Sequence, residues 1–240
     1  MTKLLFQTDS YLKEFTAKVE KVEEELNAVI LNQTAFYPGG GGQVFDKGFI
    51  TFGVKKSTLK RAKSSPDGIL HILESGEPLP AVGEAVVGFL DWDHRFKVMR
   101  THTAMHILCG TIFRDYGAMV TGGDMEPLKG RMDFEFENLS KELVSVIEKA
   151  VNAEVAAARE IRVDIHSREE AFKIPDLIRT KINLLPEHIS EVRTVEIMGL
   201  DLQADGGTHV KNTSEVGPIH ISDYKSKGKI NKRIYIELDA

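Results

Sequence analysis

The feature that most constrains the fold is a change of texture at Asp91. Before it, the chain consists of β-rich runs, FTAKVEKV, NAVILNQTAF, GQVFDKGFITFGVKKSTLKRA, GILHIL and AVVGFLDW, broken by Gly, Pro, Asp and Ser. TAKVEKVEEELNAVIL can be forced into a helical pattern, but Thr16, Val19, Val22, Val29 and Ile30 favour strands. Residues 1–90 are therefore expected to form a small β-barrel-like domain.

After Asp91 the apolar spacing becomes helical. DHRFKVMRTHTAMHILCGTIFRDYG offers Asp93 as N-cap, a stripe through Phe96, Met99, Ala104, Ile107, Leu108 and Ile112, and Gly117 as a stop, so one long helix is predicted. RMDFEFE reads as a strand. LSKELVSVIEKAVNAEVAAARE reads as a second helix with positions 143, 147, 151 and 155 on one face. IRVDIH, TVEIMG, GPIHIS and KRIYIEL read as strands, and Ser167 with Glu170 as the capping box of a short helix. Many strands follow one another without an intervening helix. The expected class is α+β, with residues 91–240 forming a second domain, a two-layer α/β sandwich with a largely antiparallel sheet.

The 240 residues carry 31 basic and 36 acidic side chains, a net charge of −5, which argues against indiscriminate nucleic-acid binding. A local exception is YKSKGKINKRIYIEL, where Lys225, Lys227, Lys229, Lys232 and Arg233 stand without an acid; it reads either as a solvated hairpin or as a phosphate contact. The single cysteine, Cys109, excludes an internal disulfide and fits a reducing compartment. With neither a leader-like start nor an apolar run of the roughly 20 residues that a membrane span needs, a cytoplasmic protein is expected.

Three short stretches can carry chemistry. In QTAFYPGGGGQVFDKG the glycines 39–42 need either a turn at positive φ or a close approach of another group to their backbone. Phosphate cradling is disfavoured, because no Gly-Lys-Ser/Thr follows and Gln43-Val44-Phe45 reads as a strand. His102 and His106 stand four apart, on one helix face, where both can reach one ion; the pair also occurs by chance, and no carboxylate lies between them. Cys109 lies on nearly the same face but reads as a core residue. In DLQADGGTHV, Asp205 and His209 flank a tight loop that is either a hairpin turn or half of a site. Together His102, His106, Asp205 and His209 offer three nitrogens and one oxygen, a set that zinc accepts.

Taken together, TAFYPGGGGQVFDKG, MRTHTAMHIL, DLQADGGTHVKNTSEVGPIHI and KSKGKINKRIYIEL, in that order, resemble the freestanding alanyl-tRNA editing proteins of the AlaX type and the editing domain of alanyl-tRNA synthetases, over nearly the whole chain. One departure matters: Asp205 stands where the family pattern usually has cysteine. The resemblance implies hydrolysis, in trans, of the ester that joins serine, with glycine a further candidate, to alanine tRNA. It implies one Zn2+ on His102, His106, Asp205 and His209, and a substrate wall of Thr34, Gln43, Gly41 and Gly42 that contacts the serine hydroxyl. Lys225, Lys227, Lys229 and Arg233 become tRNA contacts. The alternative it leaves open is a weakened or inactive homologue that binds tRNA or an amino acid without cleaving it. His94, Arg95 and Arg100 read either as helpers or as helix surface, and His71, His166, His188 and His220 as surface or satisfied core residues.

Overall fold

The computed structural model describes residues 2–179 and 189–240, so His188 lies outside the described residues. The chain divides into two compact units, Met1–Phe96 and Lys97–Ala240.

The first unit contains β1 (Lys3–Leu4), β2 (Glu14–Glu23), β3 (Ala28–Leu31), β4 (Gln33–Thr34), β5 (Gly48–Phe52), β6 (Lys55–Ser65), β7 (Gly68–Leu73) and β8 (Ala85–Leu90). Six of them close a barrel in the order β2-β3-β7-β6-β5-β8, every neighbouring pair antiparallel, while β1 pairs in parallel with β4. Strand β2 shows why the helical alternative loses: Phe15, Ala17 and Val19 are buried while Glu14, Thr16, Lys18 and Glu20 are exposed, a period of two. The helical tendency of its acidic tail survives only as a 3-10 turn, Glu24–Leu26, ended by Asn27 in the left-handed region at φ 48°. Phe15, Leu31, Phe36, Ile50, Leu59 and Leu73 fill the barrel.

The strand expected at Gln43-Val44-Phe45 does not form. Gly40 and Gln43 exchange both backbone hydrogen bonds, at 3.0 and 2.9 Å, around Gly41 and Gly42 at φ 58° and 88°. Positive φ at both central positions is the tight turn that glycine makes without strain. Beyond the turn the chain is held at Asp46, whose N–H donates to Tyr37 O at 3.0 Å and whose carboxylate accepts from the Tyr37 N–H at 2.6 Å and from Arg95 Nε at 2.8 Å. Arg95 is fully buried and also donates to Ala35 O and Ser10 O. It is therefore a core ion-pair partner and not helix surface.

The long helix α1 (Trp92–Tyr116) begins two residues earlier than expected, and its cap is Asp91, whose Oδ1 accepts from the His94 N–H at 3.1 Å; Asp93 sits in the first turn. The second unit adds β9 (Val120–Glu126), β10 (Lys129–Glu135), α2 (Lys141–Ala156), β11 (Ile161–Ser167), α3 (Arg168–Ala171), β12 (Glu191–Ile197), β13 (Asp201–Ala204), β14 (Ile219–Ser226) and β15 (Asn231–Leu238). The antiparallel strands form two sheets, β14-β15-β10-β9 and β11-β12-β13. Ser140 caps α2, which buries Val144, Ile147, Val151 and Val155, and Ser167 with Glu170 makes the expected capping box. The apolar stripe expected on α1 is only part of what it buries, since every residue from Thr101 to Ile112 is buried. Met105 lies against Gly130 of one sheet, and a Cβ on Gly110 would stand 2.7 Å from that of Asp201 in the other. With sheets against two of its faces, the helix has little use for a polar side.

Candidate metal centre

Two elements build the cluster. The i, i+4 spacing on α1 puts His102 and His106 on one face, with ring centroids 5.0 Å apart. The other half follows β13, where the Gly207 N–H donates to Asp205 Oδ2 at 2.8 Å and closes the loop so that His209 returns to the same point. The His209 ring lies 4.1 Å from that of His102 and 4.7 Å from that of His106. Asp205 Oδ2 is 3.0 Å from His209 Nε2, and its Oδ1 is 3.5 Å from His102 Nε2. One donor atom from each of the four residues lies within 4.8 Å of the others.

Two of the rings have a polar neighbour behind them. Thr103 Oγ1 stands 3.1 Å from His209 Nδ1, and Asp201 Oδ2 lies 3.3 Å from His106 Nδ1, so Nε2 of both rings is turned to the centre of the cluster, that of His209 towards Asp205. Arg193 Nη1 donates to Asp205 O at 2.8 Å and lies 3.5 Å from its Oδ2. Burial pushes His209 down to about 4 and His102 well below its usual range, although Asp205 faces both, so both rings are neutral with a lone pair to give. His106 is raised: burial opposes its charge, but Asp201 beside it and the charge of Asp205 prevail. Burial also opposes the Asp205 carboxylate, and the imidazoles of His102, His209 and His106 outweigh it and hold the group well below the carboxylate range. Three imidazoles, two of them kept neutral by burial, and one carboxylate fit a zinc-like cation. Cys109 is buried, accepts from Gln203 Nε2 at 3.3 Å and lies outside the cluster, in its expected core role.

Two stretches match known family models: residues 5–94 match "tRNA synthetases class II (A)", and residues 192–235 match "Threonyl and Alanyl tRNA synthetase second additional domain". Over 237 residues, 98% of both chains, the sequence is 41% identical to the alanyl-tRNA editing protein AlaX-M of Saccharolobus solfataricus. The chain belongs to the AlaX family of freestanding alanyl-tRNA editing proteins. A second AlaX-M protein, from Methanosarcina mazei, is 38% identical over 99% of this chain and 97% of its own length. Alanine–tRNA ligase of Ignicoccus hospitalis is 36% identical over 92% of this chain but only 24% of its own length, as expected where an AlaX chain corresponds to one part of a longer enzyme.

The other site candidates of this AlaX chain are distributed as follows. Thr34, Gly41, Gly42 and Gln43 belong to the first unit, Thr34 and Gln43 buried and Gly41 exposed at the turn. Thr34 Oγ1 accepts from the Phe36 N–H at 3.1 Å and stands 2.8 Å from His71 Nε2, so His71 is a satisfied core residue. In the second unit, Lys225 pairs with Asp223 at 3.0 Å and Arg233 holds Asp133 with two bonds of 2.6 and 2.8 Å, whereas Lys227 and Lys229 are exposed. His94 is tied to Phe45 O and Arg100 to Val216 O, and His220 faces Asp239 at the surface. Asp201, Arg193 and Thr103 were not anticipated. The available signal was strand alternation, which puts Asp201, Gln203 and Asp205 on one side of β13. Among the described residues no helix is long and apolar enough to cross a membrane.

Proposed function

We propose that this chain is an aminoacyl-tRNA deacylase acting in trans in the cytoplasm, hydrolysing the ester of serine, and as a second candidate glycine, on mischarged alanine tRNA. The observation that carries the reading is the convergence of His102, His106, Asp205 and His209, from a helix and a loop about a hundred residues apart, within 4.8 Å. A zinc ion held by these four would supply Lewis-acid polarisation of the ester or acidify an attacking water. The protein's own groups keep that set in order. The Asp201 carboxylate stands 3.3 Å from Nδ1 of His106, the Thr103 hydroxyl fixes the ring of His209, and Arg193 holds the Asp205 main chain in place.

Serine differs from alanine by one hydroxyl, so a site that needs that hydroxyl rejects alanine strongly. Thr34 is suited to the part. Burial keeps His71 neutral, and its Nδ1, 3.3 Å from Val29 O, carries the proton; the hydrogen-bond network thus assigns Nε2 as the acceptor of the Thr34 hydroxyl proton. With the Phe36 N–H on one lone pair, a second lone pair remains to accept from a serine hydroxyl. Gln43 and the Gly41-Gly42 turn complete the proposed wall, and Lys225, Lys227, Lys229 and Arg233 the proposed contacts to tRNA.

One observation favours the second reading, a binding homologue without cleavage. The Asp205 carboxylate already satisfies the Gly207 N–H and His209, so the cluster is a closed set by itself. Deacylation of seryl- and alanyl-charged alanine tRNA, with elemental analysis of the wild type and Asp205→Cys, separates the two. Selective loss of the seryl ester, with stoichiometric zinc in both proteins, supports editing. Spontaneous rates for both esters, with zinc in the cysteine variant alone, establish the binding homologue.

A further inference from the structure

Strand β6 carries Lys55, Lys56, Lys60, Arg61 and Lys63, with no acid from Lys55 to Ser65, in a chain of net charge −5. Ser57, Leu59 and Ala62 are buried, so strict alternation from Leu59 would turn residue 61 inward as well. A bulge between Leu59 and Arg61 adds one residue to the strand, and both Lys60 and Arg61 are exposed. The irregularity thus gives the outer face an extra positive charge. Among the described residues none of the five has an acidic partner within ion-pair distance, in contrast to Lys225 and Arg233 of the terminal hairpin.

Aromatic rings underlie the same face. Lys56 Nζ sits 3.8 Å from the centroid of Phe49, which stacks on Phe89 at 5.0 Å, and the Arg61 guanidinium lies 5.8 Å from the Phe45 ring. Such rings restrain long side chains without neutralising them. Beside them, a cleft of about 440 Å³ is lined by Gly39, Gly40, Gln43 and Phe45 on one side and by Arg61 and Lys63 on the other. The cationic face therefore runs into a space bordered by the glycine turn.

We propose that the outer face of β6, with this cleft, is a track for the phosphate backbone of the RNA that the chain acts on. The partner class rests on the editing reading above; the charge, the bulge and the cleft do not. Unpaired cations that each neutralise a phosphate release counterions, so their contribution is read in the salt dependence of binding. The test is a titration of fluorescently labelled, uncharged alanine tRNA with wild-type protein, with Lys60→Gln/Arg61→Gln/Lys63→Gln, and with Lys225→Gln/Lys227→Gln/Lys229→Gln. All three positions of the first variant face solvent, and an unchanged thermal midpoint verifies its fold. Loss of about three phosphate contacts makes the affinity deficit of that variant shrink roughly 20- to 40-fold between 50 and 200 mM salt. An unchanged salt slope in the β6 variant overturns the track, as does binding of phosphatidylserine vesicles without binding of tRNA. Protein that leaves seryl-tRNA intact but loses its salt slope with β6 refutes editing and keeps the track; protein that edits with a β6-independent slope does the reverse.

Discussion

Asp201→Asn isolates what holds His106 in place within the proposed metal cluster. The change conserves shape at a side chain with no solvent exposure, and leaves untouched the Cβ that abuts Gly110. Three donors converge on the carboxylate: Gln203 Nε2 at 2.6 Å and His106 Nδ1 at 3.3 Å on Oδ2, and Arg179 Nε at 3.3 Å on Oδ1. An amide offers one oxygen, so one of the three donors must meet an NH2 group, and the charge that raises His106 is gone. Outer partners of this kind typically carry 10- to 100-fold in metal affinity, or about 1.4–2.8 kcal/mol. Competition with a chromogenic chelator at neutral pH should therefore show zinc bound 10- to 100-fold more weakly than by the wild type, and deacylation lost at limiting zinc should return when zinc is added. Zinc affinity within threefold of wild type would refute the assignment of Asp201 as the partner that orients His106.

Asp46→Asn leaves the buried Arg95 guanidinium short of a counter-charge and should cost about 3–5 kcal/mol. The fluorescence of Trp92, the sole tryptophan, reports this during urea unfolding, and a cost below about 1 kcal/mol contradicts the buried-pair account. His71 has its pKa pushed down to about 4 by burial, against 6.5 when unfolded. Its stabilising contribution is complete above pH 6.5 and is lost as the pH falls towards 4, about 3 kcal/mol in all, because the unfolded chain takes up the proton first. A His71→Gln protein with the same stability loss over that interval would disprove it. At Gly41, φ is 58° and a Cβ would meet open space, so Gly41→Asn should be nearly neutral and Gly41→Val should cost about 1–2 kcal/mol. Equal melting temperatures for the two variants would show that the turn does not require the left-handed backbone.

The elements with clear periods were legible. Alternation in β2, the spacing of α2 and the Ser167 capping box give the local structure directly, because each is written within one or two turns of chain. So was half of each pair in the site: four-residue spacing on a helix, and a glycine loop between Asp205 and His209, need no tertiary information to be noticed. What failed depended on partners far along the chain. Arg95 looks like helix surface until Asp46, 49 residues earlier, is seen against it. The N-cap fell on Asp91 and not Asp93, since both are good caps and only the strand leading into the helix decides between them. The terminal lysine run drew attention by composition, yet Asp223 on the same strand occupies Lys225 and Asp133 on the neighbouring strand occupies Arg233. The cationic face of β6 was hidden inside a run read only as strand, because only the bulge between Leu59 and Arg61 shows that Arg61 does not point into the barrel.

Charge balance explains how so polar a face of α1 is tolerated in the interior. Asp205 lies 3.5 Å from Arg193, and Asp201 lies 3.3 Å from Arg179, so each buried carboxylate faces one guanidinium and the two pairs cancel. His102 and His209 among them then need no charge of their own, which agrees with their depression by burial, while His106 beside Asp201 is raised. An aspartate carries the same single negative charge as the thiolate that the family pattern places at 205, so this balance survives the replacement. What changes is reach and softness, with zinc–oxygen bonds of about 2.0–2.2 Å against about 2.3 Å for sulfur. The Asp205 loop is already closed by its own turn onto the Gly207 N–H, and a difference of that size falls within the movement of one side chain. Aspartate at this position would therefore tune how tightly an ion is held, in an interior whose paired charges already balance around it.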